Sequence, residues 1–277
     1  MIKDITIGQY FAGTSPLHCM DARMKLSLTL TFMVIIFICS NFFSLGLIAL
    51  ASLVLCLLSG VPARMLLRSL RPIIILILFT SVLNLFYTGG EDAHVLVTIP
   101  LWKWHPTITL EGVNTAIFTT VRIICLIAVS SLLTYTTTPS MLTTGLEKLL
   151  SPLAKLRVPV AIFAMMMTLA LRFVPTLIEE TDRIMSAQKS RGANLETGSL
   201  LQRVKAFVPV LVPLFVSAFR RAAELACAME SRCYTGEGAR TSLKQLKLQA
   251  RDVAAAGCMA ALVGGVVTLN LLFGNVL

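Results

Sequence analysis

Two similar stretches of sequence decide the fold. The first is FVPTLIEETDRIMSAQKSRGA (Phe173–Ala193), and the second is LFVSAFRRAAELACAMESRCY (Leu214–Tyr234). Their arginines, Arg191 and Arg232, lie 41 positions apart. Each arginine follows a serine and precedes a break in helical sequence, Gly192 in the first copy and Tyr-Thr-Gly in the second. Both copies therefore predict a helix that ends at an arginine.

The two copies also carry a stripe of residues in the same register. Counted back from the arginine, positions −17, −14, −10, −7 and −3 follow steps of three and four, which lie on one face of a helix. We expect this face to pack the two helices against each other. The stripe consists of Val174, Leu177, Thr181, Ile184 and Gln188 in the first copy, and of Phe215, Ala218, Ala222, Leu225 and Met229 in the second, where Ala226 continues the same side.

A purely structural interpretation exists for either copy alone, because many helices end in a basic residue followed by glycine. It does not account for the same register occurring twice. A cation in the last turn suits the helix dipole, and arginine presents five N–H donors to a partner's carboxylates or carbonyls. The pair of stretches therefore predicts two helix tips that dock on partner proteins.

The composition places the chain in a membrane. Hydrophobic residues make up 56% of it and charged residues 14%, and its mean hydropathy is +0.82, which is far from the balance of a soluble domain. Because a helical span needs about 20 apolar residues, we predict an all-α integral membrane protein with about five spans, near 26–43, 45–60, 73–88, 112–136 and 253–274.

The distribution of charge predicts the orientation. The segment 137–252 holds 16 of the 24 lysines and arginines, whereas 89–111 holds one basic residue and three acidic ones. The positive-inside rule puts the N-terminus, the 61–72 connection and 137–252 in the cytoplasm. The net charge of +10 is thus mainly a signal of topology and does not indicate nucleic-acid binding.

The basic segment predicts three further helices. An amphipathic stretch after Pro139, with leucines at 142, 146, 149, 153 and 156, is typical of a helix lying in the membrane interface. Two helices of about 160–191 and 203–232 follow, each apolar at its start and charged at its end. We therefore predict an N-terminal membrane domain (1–136) with four spans, a cytoplasmic or interfacial domain (137–252), and a last span (253–277).

Motifs of catalysis and metal binding are absent from the sequence. It contains no GxxxxGK[ST] phosphate loop and no HExxH motif, and its three histidines lie outside the predicted spans. The seven cysteines are scattered and form no CxxC pair, so we predict no metal site, no cofactor and no disulfide framework.

Arg122 is the one ionisable residue deep in a span. Two roles remain equally open for it, a functional one and a structural one in which it bonds to Asn84 or to span hydroxyls.

The motifs in order resemble the EcfT/CbiQ family, the transmembrane components of energy-coupling factor (ECF) transporters, over essentially the whole chain. The N-terminal part has Tyr10, Ser15-Pro-Leu-His18 and Asp21-Ala-Arg-Met-Lys-Leu26, and the later part has Gly145-Leu-Glu147 and Leu171-Arg-Phe-Val-Pro175. The family's pair of Ala-Arg-Gly-like tripeptides corresponds to Ser190-Arg191-Gly192 and Ser231-Arg232-Cys233. Serine replaces alanine in both tripeptides, Cys233 replaces a smaller residue, and Ala22 replaces the usual proline, but both arginines are kept.

The resemblance implies a non-catalytic scaffold in the cell membrane of a prokaryote. Its partners would be two cytosolic ATP-binding-cassette (ABC) ATPase subunits, which receive the two tripeptides, and one membrane-embedded substrate-binding subunit for a vitamin or a metal ion. Two long, crossed coupling helices would transmit movement between them. Two alternatives are a stand-alone secondary permease, which should show two related halves with broken helices, and an intramembrane enzyme that uses Arg122 and Arg172 on a lipid phosphate.

Overall fold

The computed structural model describes residues 10–87, 95–98, 107–156, 159–193, 199–236 and 248–274. These ranges contain nine α-helices and one short pair of antiparallel strands. The helices are α1 (Ala22–Ile38), α2 (Phe42–Ser59), α3 (Ala63–Leu70), α4 (Ile74–Tyr87), α5 (Leu110–Thr136), α6 (Pro139–Leu150), α7 (Val160–Ser190), α8 (Leu200–Glu230) and α9 (Ala250–Phe273). The strands are β1 (Val95–Thr98) and β2 (Thr107–Thr109), and 3-10 turns occupy Arg71–Ile73 and Ser151–Leu156.

Six helical segments of the described residues have the length and the apolar composition to cross a membrane. They are α2, Ala63–Leu85 (α3 with α4), α5, α7, Val204–Glu230 in α8, and α9. The chain is therefore an all-α, multi-pass integral membrane protein, with the strand pair as a small addition between α4 and α5. The first predicted span corresponds to α1, whose 17 residues extend about 26 Å, slightly less than the ~30 Å hydrocarbon core.

Two boundaries differ from those expected of the apolar runs. The break between the first two spans lies at 39–41, where the Asn41 N–H donates to the Ser44 hydroxyl (3.3 Å) and starts α2. Hydrophobic runs do not reveal such a cap, because its residues are few and polar. The 61–72 connection, expected to be a loop, is helical from Ala63 onward. Pro72 lies in its 3-10 turn, near the start of α4, where a missing N–H costs little.

Contacts divide the chain into two compact units. The first unit contains Gly8–Gly145 and Leu246–Leu277, and the second is built around Leu146–Gln245; the predicted domain boundaries at 136/137 and 252/253 stay predictions. In the first unit α5 packs against α1, α2, α3 and α4, and α9 packs against α1 and α2. Six hydrophobic side chains that are at most 1% exposed lie in the core of this unit: Phe32, Ile36, Cys39, Ile48, Phe118 and Val266.

The Tyr10–His18 segment folds back on itself. The Nε2–H of His18 donates to the Phe11 carbonyl (2.9 Å), and its Nδ1 forms a hydrogen bond with the Ser15 hydroxyl (2.6 Å). A Cβ at Gly13 would lie 2.9 Å from this imidazole, which explains why the position has no side chain. The Phe11 N–H donates to the Tyr135 carbonyl (2.9 Å), and this bond ties the segment to the end of α5.

A buried set of polar residues, which we call the clasp, joins the starts of α1 and α9. Asp252 is fully buried, and its carboxylate accepts from the N–H groups of Asp21 (3.1 Å) and Gln249 (2.9 Å). Asp21 in turn accepts from the N–H (3.0 Å) and the guanidinium (3.2 Å) of Arg23. Each carboxylate thus caps a helix N-terminus, where negative charge is favourable.

Lys25 extends the clasp to the end of α5. Its ammonium donates to the Thr136 carbonyl (3.1 Å) and to the Thr137 hydroxyl (3.0 Å), and the residue is 6% exposed. Gly145 completes this region, because a Cβ there would lie 3.1 Å from atoms of Ala22. The Asp21–Leu26 and Gly145 motifs therefore hold the helix ends of the first unit together.

The second unit is dominated by α7 and α8, which pack against each other. Its described side chains below 9% exposure are few, Val160, Val210 and Ser217. The predicted amphipathic stretch forms α6 and the 3-10 turn that follows it. Leu146, Leu149, Leu153 and Leu156 are 40% exposed or more, which suits a helix whose apolar face meets the membrane interface.

Candidate functional site: two matching helix tips

The first tip, Ser190–Ala193, closes α7 with a Schellman motif. The N–H of Ala193 donates to the Gln188 carbonyl (3.0 Å), and the N–H of Gly192 donates to the Lys189 carbonyl (3.0 Å). Gly192 has φ = +85°, the left-handed conformation that this motif requires and that glycine adopts without strain. Arg191 is the residue just before the left-handed position, so its side chain leaves from the end of the helix.

The second tip, Ser231–Tyr234, has the same hydrogen bonds 41 residues later. The N–H of Tyr234 donates to the Met229 carbonyl (3.0 Å), and the N–H of Cys233 donates to the Glu230 carbonyl (2.8 Å). Cys233 takes the left-handed position with φ = +57°, and no other non-glycine residue in the described ranges has a positive φ. The sequence repeat is thus a structural repeat, in which Arg191 and Arg232 occupy equivalent positions.

The side chains of both tripeptides are exposed. Ser190, Arg191 and Gly192 in the first tip, and Ser231, Arg232 and Cys233 in the second, all belong to the exposed class. The hydroxyls of Ser190 and Ser231 donate back to the helix, to the carbonyls of Ser186 (3.1 Å) and Ala228 (3.0 Å). The arginines are therefore the long donors that each tip presents outward, while its backbone is already satisfied.

An ion pair joins α7 and α8 at equivalent positions of the repeat. Arg221 donates to the Glu180 carboxylate (3.1 Å), and the two residues are 41 positions apart. A residue that contacts its own repeat equivalent lies close to the axis that relates the two copies. We call this contact the crossing, because it marks the centre of the α7–α8 pair.

A second contact between the helices depends on a proline. The side-chain amide of Gln188 donates to the Pro209 carbonyl (3.5 Å). That carbonyl lacks its usual helical donor, because the residue four positions later is Pro213, which has no N–H. The step from Glu180 to Gln188 runs toward the C-terminus of α7. The corresponding step from Arg221 to Pro209 runs toward the N-terminus of α8. The helices therefore run in opposite directions, and their tips lie at opposite ends of the contact.

The distance from the crossing to the arginine is the same in both helices. Arg191 lies 11 residues after Glu180, and Arg232 lies 11 residues after Arg221 (191 − 180 and 232 − 221). At ~1.5 Å per residue each arm is about 16 Å long. The prolines inside α7 and α8 all precede the crossing, so both arms are uninterrupted helix.

The covered face of the two helices agrees in part with the predicted stripe. Leu177, Ile184 and Gln188 are half-buried, as are their equivalents Ala218, Leu225 and Met229. Thr181 is half-buried too. In α8, however, Phe215, Ala222 and Ala226 are exposed, and they lie outside the covered face of this chain.

The covered face of each helix is centred about one residue nearer the N-terminus than the predicted stripe. Positions covered in both copies are Leu169, Phe173, Leu177, Glu180, Ile184 and Gln188 in α7, and Val210, Leu214, Ala218, Arg221, Leu225 and Met229 in α8. Our stripe favoured weakly polar residues and so passed over Glu180 and Arg221. Glu180 and Arg221 can lie on a covered face because their opposite charges bond to each other. The sequence feature that would have identified this pair is two opposite charges 41 positions apart.

Comparisons with known proteins identify the family. The CbiQ model, described as a cobalt transport protein, matches residues 13–243. The energy-coupling factor transporter transmembrane protein EcfT of Clostridium kluyveri is 50% identical over 95% of this chain and 96% of its own length. The same-named protein of Ruminiclostridium cellulolyticum is 45% identical over 99% and 100%, and that of Lactococcus lactis subsp. cremoris is 42% identical over 91% and 92%. The chain belongs to the EcfT/CbiQ family.

As a member of the EcfT/CbiQ family, the chain is a transmembrane component of energy-coupling factor transporters. Docking of its two tripeptides on partner proteins stays a prediction. The described residues hold no group of three or more histidine, cysteine, aspartate or glutamate side chains placed to bind a metal ion. Residues 89–94 and 99–106 of the 89–111 connection lie outside the described residues.

Arg122 has a structural environment in this family member. Its guanidinium donates to the Cys39 carbonyl at the end of α1 and lies 4.6 Å from the centroid of the Phe118 ring. The partner is thus a helix C-terminus and an aromatic face, instead of Asn84 or a span hydroxyl. Both are favourable for a cation, and the contacts tie α5 to the turn between α1 and α2.

Proposed function

We propose that the chain is the non-catalytic coupling subunit of an ECF-type ABC importer. In this function two cytosolic ATPase subunits bind the two helix tips, and a separate membrane subunit binds a vitamin or a metal ion. Movement of the ATPases during ATP hydrolysis is passed through α7 and α8 to the substrate-binding subunit. The N-terminus lies in the cytoplasm of a prokaryotic cell, and the second unit lies in the cytoplasm or at the membrane interface, as the distribution of basic residues predicts. The apolar starts of α7 and α8 lie toward the membrane.

The equivalence of the two tips is the observation that carries this proposal. Each ends in the same Schellman motif, exposes an arginine at the same position and lies 11 residues from the crossing. Two equivalent tips suit two equivalent partners, which is the arrangement of a pair of ATPase subunits. Because the arms are continuous helix and the two helices are joined at the crossing and at the Gln188–Pro209 contact, a displacement of one tip is passed to the other helix.

The test is to reverse the charge of both arginines in the assembled transporter. Removing one partner of a buried, hydrogen-bonded charge pair costs about 2–5 kcal/mol, so Arg191→Glu with Arg232→Glu should abolish recovery of the ATPases in a pull-down from membranes. The inserted chain should remain at normal abundance. The matched control is Arg183→Glu with Arg220→Glu, which reverses two exposed arginines on the same helices away from the tips.

Three results separate this function from its alternatives. Normal recovery of the ATPases with the Arg191/Arg232 double variant would contradict docking through the tips. Loss of recovery in the control as well would show that general charge, and not the tips, holds the complex. The purified chain alone should neither hydrolyse ATP nor accumulate solute in liposomes, and uptake by the chain alone would favour a permease.

A further inference from the structure

We propose that a cleft in the first unit binds one anionic phospholipid, with an acyl chain between the helices and the headgroup at Arg251. The cleft has a volume of about 400 Å³ and lies among α1, α2, α5 and α9. It is separate from the helix tips, so this binding site does not depend on the proposed coupling function. The argument uses the shape of the cleft, the chemistry of its wall and the charges at one end.

Four helix faces form most of the wall, and Pro16, Leu17 and Met20 of the segment before α1 complete it. The lining residues on each helix recur at steps of three and four, for example Lys25, Leu28, Thr29 and Phe32 on α1. Apart from Lys25, Thr29, Thr136 and Arg251, the lining side chains are apolar. Both threonine hydroxyls are already bonded to carbonyls of their own helices, at 2.7 Å and 2.8 Å. The wall therefore offers hydrocarbon contacts and no unsatisfied hydroxyl.

The cations lie together at one end of the cleft. Lys25 bonds to the Thr136 carbonyl, and Arg251 adjoins Asp252, which holds the start of α1. Lys25 uses two of its three N–H donors. Arg251 is exposed and makes no hydrogen bond or ion pair with the described residues. An anionic group at this end would thus meet one free guanidinium and one buried ammonium with a donor to spare.

The length of the cleft matches one leaflet. From Lys25 to Phe32 the cleft follows α1 for seven residues, and from Arg251 to Leu262 it follows α9 for 11, or about 10–16 Å at the helical rise. Half of a ~30 Å hydrocarbon core is about 15 Å. Basic residues at the end of a span lie at the membrane interface, so the cleft runs from the headgroup level toward the bilayer centre.

The chemistry of the cleft favours an amphiphile as its occupant. A small polar molecule would leave the apolar wall without contacts. An amphiphile with an anionic headgroup satisfies both the wall and the cations, and anionic lipid headgroups are recognised by basic pockets between membrane helices.

Photolabelling of the full chain in nanodiscs tests this site. The probes are phosphatidylglycerol and phosphatidylcholine that carry the same diazirine acyl chain, and labelled peptides are identified by mass spectrometry. We expect phosphatidylglycerol to label cleft residues such as Phe32 and Leu262 about five-fold more than phosphatidylcholine, the factor expected of one basic residue at an anionic surface. Arg251→Gln should remove this preference, whereas Arg64→Gln, at another exposed arginine, should keep it.

Filling the cleft gives an independent measurement. Ala51 and Ala255 line the cleft, so Ala51→Trp and Ala255→Trp should each remove the labelled cleft peptides. Ala260→Trp, on an exposed part of α9, should not. Two separate variants keep the test decisive if one of them elutes as an aggregate. Equal labelling by both lipids, or undiminished labelling in a well-folded tryptophan variant, overturns the proposal, as does a crosslink from the cleft to a co-purified protein helix instead of lipid.

The reactivity of a native cysteine tests the lipid site without any substitution. Cys258 lines the cleft and Cys227 lies on α8, and both are exposed and free. Phosphatidylglycerol nanodiscs should slow the reaction of Cys258 with a maleimide relative to phosphatidylcholine nanodiscs and leave the rate at Cys227 unchanged. Equal rates at Cys258 in the two nanodiscs would overturn occupancy by an anionic lipid.

Discussion

Polar side chains hold helices together in both units, but they are buried in the first unit and accessible in the second. In the clasp, Asp252 is 0% exposed and Lys25 is 6% exposed. At the crossing, the side chains of Arg221 and Glu180 are 34% and 28% exposed. The same kind of interaction therefore has two different energetic consequences in one chain.

Burial decides what each contact can do. Breaking a buried charged network leaves polar groups without solvent, which costs several kcal/mol. An ion pair that water can reach contributes only ~0–1 kcal/mol, so it separates and re-forms at little cost. The clasp thus suits a rigid membrane anchor, and the crossing suits two helices that change their angle during the proposed coupling.

Removal of the clasp carboxylate should have the largest effect. Asp252→Ala deletes two hydrogen bonds to a charged acceptor, worth about 1.5–3 kcal/mol each, so we expect the free energy of unfolding to fall by about 3–6 kcal/mol. The measurement is denaturant unfolding of the purified full chain in detergent. The Asp21 N–H and the Lys25 ammonium would be left in a buried site with less compensation.

Two variants calibrate this experiment. Asp252→Asn keeps one acceptor oxygen and the shape of the side chain, so its loss should be about half as large if hydrogen bonds dominate. Glu224→Ala removes an exposed carboxylate and should change stability by less than about 0.5 kcal/mol. If Asp252→Ala behaves like Glu224→Ala, the distinction between a strong clasp and a weak crossing is wrong.

The sequence predicted the helices of both units well but did not predict the contacts of the clasp. Apolar runs predicted the positions of α2, α4, α5 and α9, because a helix in lipid must satisfy its own backbone. The repeat predicted α7 and α8 to within a few residues of their ends. The clasp was recognised only as a resemblance of the Asp21–Leu26 motif, since its partner Asp252 is 231 positions away from Asp21 and no local pattern connects them.

The covered face of α8 shows a second limit of sequence patterns. The stripe through Ala218 and Ala222 assumed that charged residues point away from the packed face. Arg221 violates that assumption because its partner Glu180 lies on the facing helix. A pattern along one helix does not show which residue on the facing helix pairs with a given side chain. Here the 41-residue repeat relates the two helices, so it could have identified the pair.

The two tips provide a smaller and more local test. Gly192→Ala puts a side chain at φ = +85°, which costs about 1–2 kcal/mol for an L-residue in the left-handed region. Cys233→Gly relieves that kind of strain at φ = +57°. We therefore expect the Ala193 amide to exchange with deuterium about 5–30-fold faster in the first variant. The Tyr234 amide should exchange more slowly in the second.

Each tip serves as the control for the other in this experiment. The Tyr234 amide should not respond to Gly192→Ala, and the Ala193 amide should not respond to Cys233→Gly. Unchanged exchange at both amides would mean that the Schellman hydrogen bonds do not limit fraying of the tips. The two tips would then share a structure, but the shared hydrogen bonds would not control how their ends open.

The smallest effect on stability is expected at the crossing. Glu180→Arg places two guanidinium groups against each other, and Glu180→Arg with Arg221→Glu restores an opposite pair with its direction reversed. Because the pair is accessible to water, each change should alter the free energy of unfolding by at most about 1 kcal/mol, and the double variant should recover most of the loss. Glu179→Arg, at an exposed neighbouring position, is the matched control.

The same variants should separate stability from coupling in the assembled transporter. If the angle at the crossing transmits movement between the tips, Glu180→Arg should assemble with the ATPases but hydrolyse more ATP per molecule of cargo taken up. The reversed pair should restore the ratio, since it again joins the equivalent positions of the two helices. A ratio that is normal in Glu180→Arg, or that stays abnormal in the reversed pair while stability recovers, would show that the ion pair only holds α7 against α8 and that coupling uses another contact.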